Sequence, residues 1–175
     1  MKQCLIVVDY QKDFVDGSLG FPEAVLLDEK IAEKVEAYHA KDQDVIFTLD
    51  THEENYMDTQ EGKNLPIPHC IRGSVGWELY GKTAASRKEE DLLIEKPTFP
   101  SYELGALLRE KAYDEIQLVG VVTDICVLSN AVIAKAALPE AKISVDASCT
   151  ATMSEEMKQK TFDVMGSLQI TVLNR

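Results

Sequence analysis

Residues 116–137, which read IQLVGVVTDICVLSNAVIAKAA, decide the fold class of this chain. The run Ile116–Val122 is apolar at nearly every position, which indicates a β-strand that is buried on both faces. From Ile125 to Ala137 the apolar residues recur with the period of a helix, so we expect the strand to lead directly into a helix. A doubly buried strand followed by an amphipathic helix is the repeating unit of a parallel α/β sheet.

The same alternation extends in both directions through the 175 residues. Further strands are predicted at Cys4–Val8, Val45–Leu49, Leu92–Ile94, Ile143–Val145 and Gln169–Leu173, and further helices at Leu27–Ala40, Tyr102–Lys111 and Ser154–Met165. We therefore predict one α/β domain over residues 1–175, with a doubly wound parallel sheet. Residues 51–91 have no long periodic run, and a loop of that length inside a domain is typically functional.

Composition excludes several classes of function. The chain has 18 Lys and Arg against 30 Asp and Glu, a net charge of -12, and its basic residues are interleaved with acidic ones. Nucleic acids and anionic membranes need a basic face, so neither is an expected partner. The opening MKQCLIVVDYQ has an apolar run too short for a secretion signal or a spanning helix. We therefore expect a cytoplasmic protein whose four widely spaced cysteines are free thiols.

Polar side chains with chemical capability follow four of the predicted strands. Asp9 follows the first strand, Asp50 and His52 the second, Lys96 the third and Cys126 the fourth. In open α/β sheets the ligand crevice lies outside the carboxyl ends of the strands. We therefore expect these side chains to converge on one rim of the sheet.

Asp9, Lys96 and Cys126 together favour nucleophilic cleavage of an amide. A thiol in the first turn of a helix lies at the positive end of the helix dipole, so we expect a lowered pKa at Cys126. Asp9 could take the thiol proton and return it to the leaving amine, while Lys96 would hold Asp9 ionised. Taken alone, Asp9 could be a turn residue at a strand end, Lys96 a surface lysine and Cys126 a buried packing residue. Their common position at strand ends favours catalysis. His39 lies in a predicted helix and is expected to be solvated.

Asp50, His52 and His69 have the composition of a metal site. Asp50 and His52 are two positions apart, so they share a face of an extended chain, and His69 could close the site from the long loop with Glu61 as a fourth ligand. Nitrogen and oxygen ligands without thiolates suit zinc, iron or manganese. Two unrelated loop histidines would give the same open spacing, and the spacing alone does not separate the two interpretations.

Five segments resemble the nicotinamidase/pyrazinamidase branch of the isochorismatase-like cysteine hydrolases. The segments occur in the same order as in the family. They are LIVVDYQKDFV at 5–15, FTLDTHEEN at 47–55, PIPHCIRGSVGWEL at 66–79, EKPTFPSY at 95–102 and GVVTDICVLSNA at 120–131. The resemblance implies a three-layer fold with six parallel strands and helices on both faces, and assembly into homo-oligomers. It implies hydrolysis of nicotinamide to nicotinate and ammonia through a cysteinyl thioester, a step of NAD salvage. It also implies one divalent metal ion per chain, with zinc as the first candidate, and this ion would anchor the pyridine nitrogen.

The resemblance also implies a role for each site residue. Asp9 would be the general base and then the acid, Lys96 its charge partner and Cys126 the nucleophile. The backbone N–H groups of Val122 and Cys126 would form an oxyanion hole beside a cis peptide between Val121 and Val122. The metal would be held by Asp50, His52, His69 and Glu61, the last directly or through water, and the substrate ring would contact Phe14, Phe99 and Tyr102.

Two other functions stay open. Hydrolysis of another small amide or ureido compound would use the same three catalytic residues with a different pocket, and the stretch Leu65–His69 lacks the aromatic residue that many nicotinamidases have there. A non-catalytic metal- or ligand-binding α/β domain is the second alternative. A dinucleotide-binding protein is disfavoured, because the turn Asp9–Asp13 has no phosphate-binding glycines and is acidic.

Overall fold

Six parallel strands form one sheet in the computed structural model, which describes residues 1–175. The order across the sheet is β3-β2-β1-β4-β5-β6, so the chain builds outward from β1 to one edge and then returns to build the other half. This confirms the predicted doubly wound parallel sheet. The strands are β1 Gln3–Val8, β2 Asp44–Asp50, β3 Leu92–Lys96, β4 Glu115–Val121, β5 Lys142–Ala151 and β6 Thr171–Leu173.

Helices of very different length connect the strands. The helix Tyr102–Lys111, α6, has the predicted bounds at both ends, because the Ser101 hydroxyl accepts a hydrogen bond from the Leu104 N–H and Ala112 ends the helix in the left-handed conformation. None of the helices is both long and apolar enough to cross a bilayer. The α-helices are α1 Lys12–Val15, α2 Pro22–Val25, α3 Asp28–His39, α4 Gln60–Asn64, α5 Gly81–Ser86, α6 Tyr102–Lys111, α7 Leu128–Ala137 and α8 Glu155–Ser167.

The central strand β1 divides the interior into two cores. Cys4, Ile6 and Val8 face a core shared with α6, α7 and α8, while Leu5 and Val7 face one shared with α2 and α3. Each fully buried aliphatic side chain of this kind contributes roughly 1.5–3 kcal/mol. Burial on both faces explains why the strand reads as an uninterrupted apolar run.

The structure departs from the predicted elements at several places, which include the unpredicted short helices α1 and α2. Short helices occupy much of the predicted loop at 51–91: α4, α5 and the 3-10 turns Tyr56–Asp58 and Val75–Trp77. Strand β5 continues to Ala151, well beyond its apolar start, because Thr150 and Ala151 pair with β4 after a register shift. The helix predicted from Ile125 begins at Leu128 instead, because Thr123–Val127 form a five-residue π-turn from which α7 continues.

Strands β1 and β4 approach closely at their carboxyl ends. Gly120 has a φ of +112°, and a Cβ there would lie 2.1 Å from the Val8 carbonyl oxygen. Only glycine fits this backbone. One residue further on, the peptide bond between Val121 and Val122 is cis, as the resemblance implies.

Candidate active site

The carboxyl ends of β1, β2, β3 and β4 bring the predicted site residues together in the interior. Asp9 follows β1, Lys96 ends β3, and Cys126 lies in the π-turn after β4. All three side chains are buried, with exposed fractions of 0%, 1% and 5%. Asp50 ends β2 directly opposite Lys96 in the strand register. The expected convergence at one rim of the sheet is therefore present.

The Lys96 ammonium lies at the centre of this group. Its Nζ atom is 2.6 Å from Asp9 Oδ2, 3.7 Å from Cys126 Sγ and 3.4 Å from Asp50 Oδ1. It also donates a hydrogen bond to the Thr98 carbonyl oxygen at 3.0 Å. A cation this deeply buried is tolerated only when it is paired. Although burial alone would lower the pKa of Lys96, the carboxylates of Asp9 and Asp50 raise it well above the usual value.

Asp9 has two differently engaged carboxylate oxygens. Oδ1 accepts a 2.6 Å hydrogen bond from the Thr48 hydroxyl, whereas Oδ2 faces Lys96 and no other donor reaches it. Burial raises the pKa of Asp9 above its usual value, although Lys96 acts in the opposite direction. A carboxylate with a raised pKa, and with one oxygen that faces only Lys96, is suited to accept and return a proton.

The predicted lowering of the Cys126 pKa is wrong. Burial raises this pKa well above its usual value; Lys96 opposes the rise, but the carboxylates of Asp9 and Asp50 add to it. Removal from water and two nearby negative charges outweigh one ammonium and the field of a short turn. The resting thiol is therefore neutral. The Lys96 ammonium lies 3.7 Å from its sulfur and 2.6 Å from Oδ2 of Asp9, the group that could take its proton.

The π-turn gives the backbone before Cys126 an unusual hydrogen-bond pattern. The Val127 N–H donates to the Val122 carbonyl oxygen five residues earlier, at 3.1 Å. The Val122 N–H itself has no acceptor within the protein. An unpaired N–H group next to a nucleophile is available to an oxygen of a bound ligand.

Four side chains beside the Lys96 group face one point. The donor atoms of Asp50, His52, Glu61 and His69 all lie within 4.8 Å of one another. Asp50 Oδ2 is 3.0 Å from His52 Nε2 and 3.4 Å from His69 Nε2, while Glu61 Oε1 is 3.5 Å and 3.7 Å from the same two nitrogens. Two imidazole nitrogens and two carboxylates fit a divalent ion such as zinc. The alternative of unrelated loop histidines is therefore wrong, and this group could hold a metal.

Hydrogen bonds orient the members of this four-residue group. The Nδ1 atom of His69 lies 2.8 Å from the Ile67 carbonyl oxygen, which directs Nε2 towards the other ligands. Although burial would raise the pKa of Asp50, hydrogen bonds with His52 and His69 and the charge of Lys96 hold it well below the usual value. Burial and the Asp50 charge raise the pKa of Glu61.

Gln11 is a buried site residue that the sequence analysis missed. Its side-chain amide donates to the carbonyl oxygens of Asp50 and Trp77, at 2.9 Å and 2.8 Å, and accepts from the Asp50 N–H at 2.8 Å. Beyond the end of β1, it therefore supplies the hydrogen bonds that another strand residue would have made to β2. Its position two residues after Asp9 is the one sequence feature that could have indicated this role. Glutamine is uncharged and lies outside any periodic pattern here, so that feature gives no specific prediction.

The aromatic residues predicted to contact a substrate lie in different surroundings. The ring centroid of Phe14 is 5.4 Å from that of His69, so Phe14 borders the four-residue group. Phe99 lines a cavity of about 430 Å³ together with His52 and Glu61. The structure does not bring Tyr102 to this cavity: it begins α6, and its side chain is 88% exposed.

His39 is not solvated, contrary to expectation. Its side chain is 9% exposed, and Nε2 lies 2.8 Å from Asp91 Oδ1. Asp91 also accepts a hydrogen bond from the Lys88 N–H, which places this pair at the amino end of β3, opposite the site. His39 therefore joins α3 to the segment before β3.

Comparison with known proteins gives consistent matches over the whole fold. Residues 3–174 match the isochorismatase domain family. A Bacillus subtilis (strain 168) protein described as an uncharacterized isochorismatase family protein, PncA, is 34% identical over 143 residues, which cover 75% of this chain and 78% of that protein. The crystal structure of the pyrazinamidase/nicotinamidase from Streptococcus mutans UA159 is similar with a TM-score of 0.88 and 30% identity, over 98% of this chain and 100% of that one. The pyrazinamidase of Pyrococcus horikoshii, solved in complex with zinc, shares the fold with a TM-score of 0.87 at 24% identity, over 100% of both chains.

Proposed function

Because the chain belongs to the isochorismatase family, we propose that it is a nicotinamidase, an amidohydrolase that converts nicotinamide and water to nicotinate and ammonia. The observation that carries the proposal is the contact between two groups: Asp9, Lys96 and Cys126 on one side, and the four candidate metal ligands on the other. Asp50 belongs to the second group and lies 3.4 Å from the Lys96 ammonium. The similarity to the Streptococcus mutans pyrazinamidase/nicotinamidase supports the same substrate class.

The first half of the proposed reaction forms a thioester. Cys126 Sγ attacks the carboxamide carbon while Asp9 takes the thiol proton, a transfer that the neutral resting thiol requires. The N–H groups of Val122 and Cys126 stabilise the negative charge that develops on the carboxamide oxygen. Asp9 then gives its proton to the amide nitrogen, the C–N bond breaks, and ammonia leaves.

The second half releases the acid. A water molecule gives one proton to Asp9 as its oxygen attacks the thioester carbon. The C–S bond breaks, and the sulfur recovers a proton from Asp9, which restores the starting state. Lys96 stays protonated throughout, since its pKa is raised, and it offsets the charge of Asp9 in both halves.

Asp50, His52, Glu61 and His69 would hold the divalent ion. Their two imidazole nitrogens and two carboxylates favour zinc, with iron and manganese as alternatives, and Glu61 lies close enough to be a direct ligand. When bound, the ion would supply a Lewis-acidic anchor for the pyridine nitrogen. Phe14 beside His69, and Phe99 on the cavity wall, would pack against the ring.

Ammonia release by the purified, zinc-loaded protein tests the proposal. We expect release from nicotinamide by the wild type and none by Cys126→Ala. Cys149→Ala is the matched control, because Cys149 is also a buried free thiol but lies in the opposite core. Absence of ammonia with the wild type would refute the nicotinamidase assignment, and activity in Cys126→Ala would refute the assigned nucleophile.

A different small amide or ureido substrate is the second candidate. The observation that favours it is the wall beside the candidate metal ligands, where Leu65 and Asn64 line the cavity and residues 65–68, directly before His69, include no aromatic residue. A panel of pyridine, pyrazine and aliphatic amides, compared by kcat/KM, separates the two. A value for nicotinamide far below that of an aliphatic amide would favour this alternative.

We also propose that the chain acts as a cytoplasmic homo-oligomer. Four free thiols suit a reducing compartment. Large apolar side chains are exposed near the carboxyl ends of the strands, including Met153 at 76% and Tyr102 at 88%, and a second copy would cover them. Light scattering after size-exclusion chromatography tests the assembly, and a monomeric mass would contradict it.

A further inference from the structure

Asn130 is a fully buried polar residue in α7, one turn after Cys126. Its Oδ1 accepts a hydrogen bond from the Ser101 N–H at 3.1 Å. Its Nδ2 donates to the carbonyl oxygens of Phe99 and Cys126, at 2.9 Å and 2.8 Å. The amide therefore engages both its acceptor and its donor group, and the bonds with Ser101 and Cys126 are buried.

These hydrogen bonds join two segments that both belong to the site. One is the π-turn that carries Cys126, and the other is the loop 97–101 that follows Lys96. The Thr98 carbonyl oxygen in this loop accepts the hydrogen bond from Lys96 Nζ, and Phe99 lines the cavity. A single side chain thus fixes the nucleophile turn relative to the lysine and the cavity wall.

Apolar packing alone does not account for an asparagine at this place. Its neighbours Val127, at the end of the π-turn, and Ala131 and Ala134, on the same helix, are apolar and buried. A buried amide costs free energy unless all its hydrogen bonds are made, so an aliphatic residue would be the simpler solution for packing. Cys126 O has a second donor in Ser129 Oγ at 3.2 Å, whereas Ser101 N and Phe99 O are reached from α7 only by Asn130.

We propose that Asn130 is a positioning residue that holds Cys126 in register with the loop 97–101. It touches neither the reacting thiol nor the cavity, and it acts through the Cys126 backbone and through Phe99. The inference rests on the proposed function for the roles of Cys126 and the cavity. Asn130 thus aligns the nucleophile with the cavity wall at Phe99 without contacting the substrate.

Two substitutions at Asn130 separate its hydrogen bond to the Cys126 carbonyl from its hydrogen bonds to the loop 97–101. Asn130→Ala removes all three hydrogen bonds, and we expect kcat for nicotinamide to fall by on the order of 100-fold, as for other small misplacements of reacting groups, with a raised KM. Asn130→Ser keeps a donor for the Cys126 carbonyl, because a helical serine bonds the carbonyl four residues earlier. It loses the bonds to Ser101 and Phe99, so we expect kcat to recover in part while KM stays raised.

A reaction independent of nicotinamide keeps this test separate from the proposed substrate. Cys126 is acylated by 4-nitrophenyl acetate, nitrophenolate release is followed, and the part that is absent in Cys126→Ala is assigned to this thiol. We expect slower acylation in Asn130→Ala and a rate near that of the wild type in Asn130→Ser. This comparison stands even if nicotinamide is not hydrolysed at all.

Tyr113→Phe is the matched control for loss of a buried hydrogen bond. Tyr113 is 3% exposed, and its hydroxyl donates to Asp44 at 2.6 Å at the amino end of the sheet. We expect it to lower the unfolding temperature while leaving acylation, kcat and KM unchanged. The proposal is overturned if Asn130→Ala acylates as fast as the wild type or faster, or if Tyr113→Phe slows the reaction as much.

Discussion

Lys96 is the residue on which the charge balance of the interior depends. It is a cation without solvent contact that lies within 3.4 Å of two carboxylates, on Asp9 and Asp50. Those carboxylates come from different strands, so the ammonium also compensates a repulsion that folding would otherwise create. Its contribution therefore differs from that of a surface ion pair, which is typically worth less than about 1 kcal/mol.

Lys96→Met is expected to abolish hydrolysis and to lower the free energy of unfolding by roughly 3–5 kcal/mol, since it leaves the buried Asp9 carboxylate without a counter-charge and removes one partner of Asp50. Asp9→Asn combined with Lys96→Met should recover part of that stability but no activity. Urea denaturation measures both effects. The control is Lys12→Met, which removes a solvent-exposed pair with Glu78 and should leave stability nearly unchanged. Equal losses from the two lysine variants would contradict the central role of Lys96.

At the scale of secondary structure, the sequence predicted the sheet and the long helices but missed the short ones. Doubly buried strands such as β1 and β4 leave a clear apolar run, and α6 has a capping serine. The short helices between β2 and β3 have three to six residues each, too few for a helical period. Two features of the site could not be predicted from the sequence. Gln11 and Asn130 make hydrogen bonds between segments that are distant in sequence, and the pKa of Cys126 depends on its burial in the fold. Neither leaves a local pattern.

Gly120→Ala is expected to destabilise the protein by roughly 2 kcal/mol or more, because the new Cβ would meet the Val8 carbonyl oxygen and the positive φ disfavours alanine. Gly166→Ala is the opposite case. Gly166 lies in α8 with open space around it, so alanine should stabilise by about 0.5–1 kcal/mol. Thermal unfolding of the two variants measures this difference. A Gly120→Ala protein as stable as the wild type would contradict the close approach of β1 and β4.

Asp146 connects α3, β5 and the C-terminal segment through bonds from Lys34, Ser148 and Asn174. Although burial would raise the pKa of Asp146, these donors hold it below the usual value. Its stabilising contribution is therefore present above the pKa of an unfolded aspartate, about 4, and is lost as pH falls through the lower folded value. Asp146→Asn should be less stable than the wild type at pH 7, and the gap should close on acidification. A gap that is independent of pH would contradict this.

On the scale of the whole molecule, the candidate metal ligands constrain a large part of the chain. Asp50 ends β2, His52 follows it, Glu61 lies in α4 and His69 comes from the loop after α4. An ion bound to all four would close the segment 50–69 against the sheet. Ligand binding to the folded state alone raises the free energy of unfolding, by about 2.7 kcal/mol at 100 times the dissociation constant.

Addition of zinc to metal-free protein should therefore raise the unfolding temperature, and chelation should reverse the rise. His52→Ala and Glu61→Gln should each reduce the shift, because each removes one ligand atom. His39→Ala is the control, since His39 pairs with Asp91 at the opposite end of the sheet. Its own stability falls, but its zinc-dependent shift should match that of the wild type. An undiminished shift in His52→Ala would exclude this histidine from the ligands.

Asp50 directs one carboxylate oxygen to Lys96 and the other to the two histidines. The proposed thiol chemistry and the candidate ion site therefore share a single side chain, and neither can be changed independently of the other. Replacement of the candidate ion site by an apolar pocket would also remove the Asp50 carboxylate that pairs with Lys96, and another negative charge would have to be supplied. Within this architecture, a change of substrate anchor and a change of nucleophile environment must be made together.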